Sequence, residues 1–186
     1  LHRAERNLVE AEAERAGFAC VQAAKRAVDR YIQTLEAMRA LYYSSEMVTR
    51  DEFELFARQE HLWHADTAVL GWAPRVPASE RAQYEAAAQR DGLASFFISE
   101  LTAESACVPA SRRDTYYPVY YIHPPETHKR LLGFDIASEP VRCRAYERAR
   151  DSGMSAITPP LPPLHDQAPA RGVTMFMPLY RGRCIP

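Results

Sequence analysis

The segment from Arg3 to about Ser44 contains no proline and a single glycine, Gly17. Charged residues and alanine dominate it, a composition that favours uninterrupted α-helix. From Val21 onward the apolar residues recur at 3-4 spacing: Val21, Ala24, Val28, Tyr31, Leu35, Met38 and Tyr42. That is about three heptads of a and d positions. Such a helix is about 60 Å long, more than a domain of this size needs internally. Two readings stand. The stripe either meets its copy in a second chain or packs only on its own domain. The polar first half, Arg3 to Arg15, has little reason to be core and favours the first.

Ser44-Ser45 breaks the pattern, and Thr49-x-x-Glu52 is a capping-box signature for a second helix. That helix is expected from Asp51 to about His61, burying Phe53, Phe56 and Ala57. Thr67 to Ala73 reads as a strand ended by Pro74, followed by a helix from about Pro77 to Arg90 with Asp91-Gly92 as its stop. Phe96-Phe97-Ile98 reads as a short strand and Thr102 to Asp114 as irregular. Tyr116 to His123 is a β-prone aromatic run halted by Pro124-Pro125. Leu131 to Ile136 is a further apolar stretch. Glu139 to Ser152 reads as helix with Gly153 at its end, and Met154 to Thr158 as a strand. Pro159 to Arg171 is a Pro-rich loop, and Val173 to Tyr180 a last strand. Short strands alternating with short helices, without a Gly-rich phosphate turn, predict an α+β fold: a long N-terminal helix, then an antiparallel sheet with flanking helices. The expected division is a stalk helix over 1–48 and a globular domain over 49–186.

Composition narrows the functions. The 186 residues carry 23 Lys and Arg against 24 Asp and Glu, with no basic run, which argues against a nucleic-acid surface. Four cysteines, at 20, 107, 143 and 184, are far apart and form no Cys-x-x-Cys pair, so a zinc or redox motif is not indicated. Buried or free thiols are the plainer reading, with a bridge through Cys107 as the alternative. No apolar run is long enough to span a bilayer. No signal peptide is seen, and both ends read as cut from something longer.

The chemistry-bearing residues are weak as catalytic sets. His61 and His64 stand three apart near Glu60 and Asp66, but His-Glu-x-x-His is absent. His123, His128 and His165 with Asp166 invite a hydrolase reading, yet there is no Gly-x-Ser-x-Gly elbow. A metal or serine hydrolase therefore remains only a second alternative, and a ligand-free structural or dimerisation module the first. Asp135, after Gly133-Phe134, is either a buried capping carboxylate or a ligand acceptor. Arg142 is either solvated or faces a pocket, where its fork suits an acidic ligand. Trp72 reads as a core anchor beneath the following helix. Of the tyrosines at 116, 117, 120 and 121, one face is core and the other is free to line a pocket.

A series of short words then carries a resemblance. Phe53-x-x-Phe56, Leu70-Gly71-Trp72-Ala73-Pro74-Arg75-Val76, Arg81-x-x-Tyr84-Glu85, Tyr117-Pro118-Val119, Leu132-Gly133-Phe134-Asp135, Ala149-Arg150-x-x-Gly153, Thr158 and Pro178-x-Tyr180 stand in this order. From about Ala40 to Tyr180 the chain resembles the CHASE domain, the extracytoplasmic sensor of many receptor kinases and cyclases. The resemblance implies a detector and no enzyme. It implies two PAS-like lobes, homodimerisation through the long helix, and a small-molecule pocket in the membrane-distal lobe, with neither cofactor nor metal. Flanking membrane spans would lead to a cytoplasmic histidine kinase, a GGDEF-type diguanylate cyclase or a phosphodiesterase, placing this portion in the periplasm of a bacterium.

The chain is similar, more distantly, to the plant cytokinin receptors of that family. Their adenine-reading aspartate aligns with Arg142 and a pocket threonine with Phe176, while Thr158 matches a threonine position. Arginine offers donors only, so a cytokinin is not expected and an anionic ligand is the consistent replacement. The ligand-lining set implied by the resemblance is Tyr117, Leu131, Phe134, Asp135, Arg142, Thr158, Leu164 and Phe176.

Overall fold

The computed structural model describes residues 2–63, 69–102, 106–162, 164 and 171–180. The chain divides into two compact units, residues 1–38 and residues 39–186. The first consists of helix α1, which runs over His2–Ser44 as the absence of proline predicts. On it Phe18 and Val21 are 68% and 63% exposed, and Val28 is exposed as well.

In the second unit, α2 (Arg50–Trp63) begins at the predicted capping box. Glu52 Oε2 accepts the Thr49 N–H at 2.8 Å, and the Glu52 N–H reaches Thr49 Oγ1 at 3.3 Å. Val48 and Phe53, the two positions of a hydrophobic staple, are both buried. Ala57 is buried as expected, while Phe56 is only half-buried. Strand β1 (Leu70–Trp72) follows; the predicted start at Thr67 lies outside the described residues. Strand β2 (Val76–Pro77) was not anticipated, because Pro77 reads as a helix start. A 3-10 turn over Ala78–Glu80 leads into α3 (Arg81–Arg90).

The next strand departs from the sequence reading. It is β3 (Ser99–Leu101), not Phe96–Ile98. Phe96 and Ile98 are buried side chains whose backbone bonds elsewhere. The Phe96 N–H closes a turn on the Leu93 carbonyl, and the Ile98 N–H goes to Glu85 Oε1. The supposedly irregular stretch supplies β4 (Cys107–Pro109), antiparallel to β3.

The aromatic run is split into β5 (Thr115–Tyr116) and β6 (Tyr121–His123). Pro118 lacks an N–H to give to a ladder, and the run changes partner around it. β5 pairs with β2 and β6 with β1. Between them, Val119 N–H donates to the Phe134 carbonyl, Gly133 N–H to the Val119 carbonyl and Ile136 N–H to the Tyr117 carbonyl. On its other side, residues 133–135 bond to Ser99 through its N–H and carbonyl, in a parallel bridge. The two- and three-residue ladders are thus stitched into one run: β4, β3, the segment 133–136, the segment 115–123, then β1 and β2. The result is the expected α+β architecture, a long helix and small antiparallel sheets flanked by helices.

The segment 133–136 can insert there because Gly133 has φ +87°, and a Cβ on it would stand 2.1 Å from the Phe97 carbonyl oxygen. Val76, Ala88, Phe96, Ile98, Ala110 and Tyr116 form one buried cluster beneath α3, with Tyr84 and Tyr120 against it. Trp72 is not the deep anchor expected beneath α3. It is half-buried, its ring 5.4 Å from both Tyr42 and Tyr121.

After the cis His123–Pro124 peptide come α4 (Pro125–His128) and a 3-10 turn over Lys129–Leu131. Helix α5 (Pro140–Ser152) is capped by the Glu139 carboxylate, which accepts the N–H groups of Val141 and Arg142, and ends at Gly153. It packs on the hairpin-like pair β7 (Ala156–Ile157) and β8 (Met175–Phe176), both shorter than predicted. Cys20, Cys107 and Cys143 are free thiols, the first two exposed; Cys184 lies outside the described residues.

Candidate ligand site

Three elements distant in sequence bring their rings together beside α5. Tyr117 comes from the run between β5 and β6, Tyr146 from α5 and Phe176 from β8. The Tyr117 and Tyr146 ring centres are 4.2 Å apart, tilted by 43°. Phe176 meets Tyr146 edge-on at 5.8 Å, an arrangement the ring quadrupoles favour. Burial, then the neighbouring Tyr117, push the Tyr146 hydroxyl above its ordinary pKa. One helical turn on, Arg150 Nη1 reaches Tyr117 Oη at 3.5 Å. The Tyr180 hydroxyl donates to the Arg150 carbonyl.

One turn before Tyr146 stands Arg142, a buried cation. Its Nη1 is 3.3 Å from Glu139 Oε2, and its Nη2 donates to the Pro162 carbonyl at 3.1 Å. Desolvation lowers its pKa, against the pull of Glu139. Thr158 uses its hydroxyl structurally. Thr158 Oγ1 accepts the Thr174 N–H at 3.0 Å, while its own N–H donates to the Thr174 carbonyl at 3.0 Å. Thr158 therefore locks β7 against the approach to β8.

Asp135 is 0% exposed. Its Oδ1 accepts the Tyr117 N–H at 2.8 Å and the Ala137 N–H at 3.1 Å, so it fixes the backbone that carries the first ring of the wall. Of the two roles weighed for it, these bonds show the buried capping carboxylate. Phe134 is buried next to it, with its carbonyl in the stitched sheet.

Of the eight residues implied by the resemblance, Tyr117, Asp135 and Phe176 are thus joined through contacts, and Arg142 and Thr158 sit on the elements that hold them. Leu131 is buried in its 3-10 turn and Leu164 is half-buried. Sequence reasoning passed over Tyr146 and Arg150. The signal was present: Arg142, Tyr146 and Arg150 recur every four residues, along one strip of α5.

The histidines do not assemble among the described residues. His123 is buried at the end of β6, and His128 Nδ1 lies 2.7 Å from Thr127 Oγ1 and 3.2 Å from the Pro124 carbonyl. The side chain of His61, and all of His64, His165 and Asp166, lie outside the described residues. Among the described residues no three His, Cys, Asp or Glu are grouped to hold a metal ion.

A long leading helix followed in the chain by a small stitched sheet, with an aromatic wall framed by one helix and a strand pair, makes an α+β domain. The CHASE domain family model matches residues 46–185, and the chain belongs to that family. CHASE domains are extracellular sensor domains of signalling proteins, sensory and not catalytic. No curated protein matches the chain. Among the described residues no helix is long and apolar enough to cross a membrane.

Proposed function

We propose that this chain is the extracytoplasmic, small-molecule-sensing part of a bacterial transmembrane signalling protein, a histidine kinase or a diguanylate cyclase or phosphodiesterase. It binds its ligand at the wall of Tyr117, Tyr146 and Phe176, within the set Leu131, Phe134, Asp135, Arg142, Thr158 and Leu164. The observation that carries this reading is the convergence of three rings from three separate elements on one strip of α5. Pockets for small molecules combine such apolar walls with a few polar groups.

The wall also narrows the ligand chemistry. Arg142 already gives one Nη1 and one Nη2 hydrogen to Glu139 and Pro162, so an acidic ligand would have to share the guanidinium with Glu139. A flat heteroaromatic ring would in turn have to share the Tyr146 ring with Tyr117 and Phe176, which already pack on it. Binding shifts the domain between arrangements only as far as the ligand's affinities for them differ.

Thermal-shift and calorimetric screening against purines, other heteroaromatic metabolites and organic acids tests the reading. A stabilising ring compound whose effect is lost in a folded Tyr146→Ala variant supports it. A flat response across the whole set would favour a structural module instead.

We further propose a homodimer through α1. Its support is the exposed series Phe18, Val21 and Val28 on a helix whose apolar spacing fits a coiled-coil seam. Sedimentation equilibrium is expected to show a dimer that Val21→Glu with Val28→Glu converts to monomer. A monomeric wild-type chain overturns the assignment.

A further inference from the structure

Asp135 is a fully buried carboxylate whose two oxygens have unequal lives. Oδ1 accepts two backbone N–H groups, from Tyr117 and Ala137. Among the described residues Oδ2 has no hydrogen-bond partner. The nearest cation is Arg113, whose Nη1 stands 3.4 Å from Oδ2, an ion pair without hydrogen-bond alignment.

Arg113 is committed elsewhere. Its Nη2 donates to Glu100 Oε2 at 2.7 Å and its Nη1 to the Ser111 carbonyl at 3.2 Å. Glu100 receives two further bonds, from the Ser111 hydroxyl at 2.6 Å and the Ser111 N–H at 3.2 Å. One guanidinium therefore serves two carboxylates, and Glu100 holds the better share. The Ser111 and Arg113 bonds keep Glu100 below the usual carboxylate range. Asp135 is pushed the other way by burial, with Glu100 adding to it and the two N–H groups and Arg113 opposing. From α5 the ionisable group that feels Asp135 is the Cys143 thiol, raised first by its own burial and then by Glu147 and Asp135.

We propose that Asp135 is an acid-responsive strut: on taking up a proton from solvent at Oδ2 in the folded chain, it weakens its hold on the Tyr117 amide and loosens the ring wall that Tyr117 builds. The proton changes an N–H···carboxylate bond into an N–H···carboxylic acid bond, and charge-assisted bonds are about twice as strong as neutral ones. The protonated Oδ2 no longer needs Arg113, which then belongs to Glu100 alone. The bearing of this device on sensing rests on the wall being the ligand site; the strut itself does not.

The test is a pH titration of the whole chain with no ligand present, following near-ultraviolet circular dichroism of the tyrosines and hydrogen exchange of the Tyr117 amide by NMR. The expected result is a transition, above the ordinary carboxylate range, in which Tyr117 amide protection falls. Asp135→Asn, which keeps the Oδ1 acceptor, is expected to abolish that transition. Glu100→Gln removes the competing charge and frees Arg113, so the midpoint moves down; Arg113→Gln moves it up. If Asp135→Asn fails to fold, the opposite movements in the other two variants decide. Tyr117 protection that is flat above the ordinary range, or a midpoint indifferent to Glu100→Gln, overturns the proposal. A ligand screen that fails while the transition persists rejects the pocket and leaves the strut standing.

Discussion

The guanidinium carbon of Arg81 stands 4.9 Å from the centre of the Tyr116 ring. From there its Nη1 and Nη2 donate to the carbonyls of Ala110 and Ile98 at 2.9 and 3.0 Å, and its Nε to Glu85 Oε1 at 3.0 Å. Glu85 in turn accepts the Ile98 N–H at 2.9 Å. One side-chain pair on α3 thereby serves backbone groups just outside the β3–β4 ladder. The Arg81-x-x-Tyr84-Glu85 word is a structural bracket, with Tyr84 packed on Phe96 and Tyr120 in the same layer.

Arg81→Ala strands the Ala110 carbonyl, takes one of two donors from the Ile98 carbonyl and leaves Glu85 without its cation. Breaking a partly buried, hydrogen-bonded pair in this way costs about 3 kcal/mol. Arg81→Lys recovers only part of that loss, because an ammonium lacks the planar fork. Urea denaturation of the two variants measures both, and equal stability of Arg81→Ala and wild type contradicts the bracket.

Gly133→Ala is predicted to be among the most damaging single-methyl additions in the chain. The backbone conformation alone disfavours a side chain, and the new Cβ meets the Phe97 carbonyl oxygen. The combined cost is about 2–4 kcal/mol, read as a fall in the denaturation midpoint. Gly17→Ala is the control: nothing lies near its Cβ, it sits within α1, and alanine is the better helix former.

Thr49→Ala removes the hydroxyl that accepts the Glu52 N–H and is expected to cost about 1 kcal/mol. Thr49→Ser keeps the cap and should lie close to wild type. Thermal denaturation followed by far-ultraviolet circular dichroism separates them.

Acid should act on the domain through carboxylates of opposite sign. Glu52, Asp91 and Glu100 are all held below their ordinary values, by Thr49, by Tyr120 and Arg50, and by Ser111 and Arg113 respectively. A depressed carboxylate stabilises the fold above its unfolded pKa and loses that contribution as the pH falls through its folded value. Asp135 is raised, so it opposes folding at neutral pH and that penalty is relieved as the pH drops through its folded value. Melting temperature against pH should therefore fall less steeply on the acid side in Glu100→Gln than in wild type. In Asp135→Asn it should fall more steeply.

The long helix, the capping box at Thr49, α3 and α5 were legible because their signals are local: proline avoidance, a four-residue box, and a glycine stop. The strands were legible as regions and misplaced in detail. Ile98 looks like a strand residue and is buried, yet a glutamate thirteen positions earlier claims its amide. The run at 116–123 looks continuous, but Pro118 and its neighbours serve a different partner from the residues on either side. β4 was invisible because Cys107–Pro109 is half exposed and takes its order from β3 across the ladder. At the candidate site, Tyr117 and Asp135 came from the family words and Phe176 from the likeness to the plant cytokinin receptors, while Tyr146 stood outside both and needed the helix phase of α5.

Tyr117 and Tyr121 stand four residues apart in the one segment, 115–123, that changes pairing partners along its length. Four residues of extended chain reach about 13 Å. At one end Tyr117 touches Tyr146; at the other, the Tyr121 hydroxyl donates to the Val48 carbonyl and Arg50 lies over the rings of Tyr120 and Tyr121. Val48 and Arg50 flank the cap where α2 begins, a few residues after α1 ends. The ring wall and the start of α2 are thus anchored on the same short stretch of backbone.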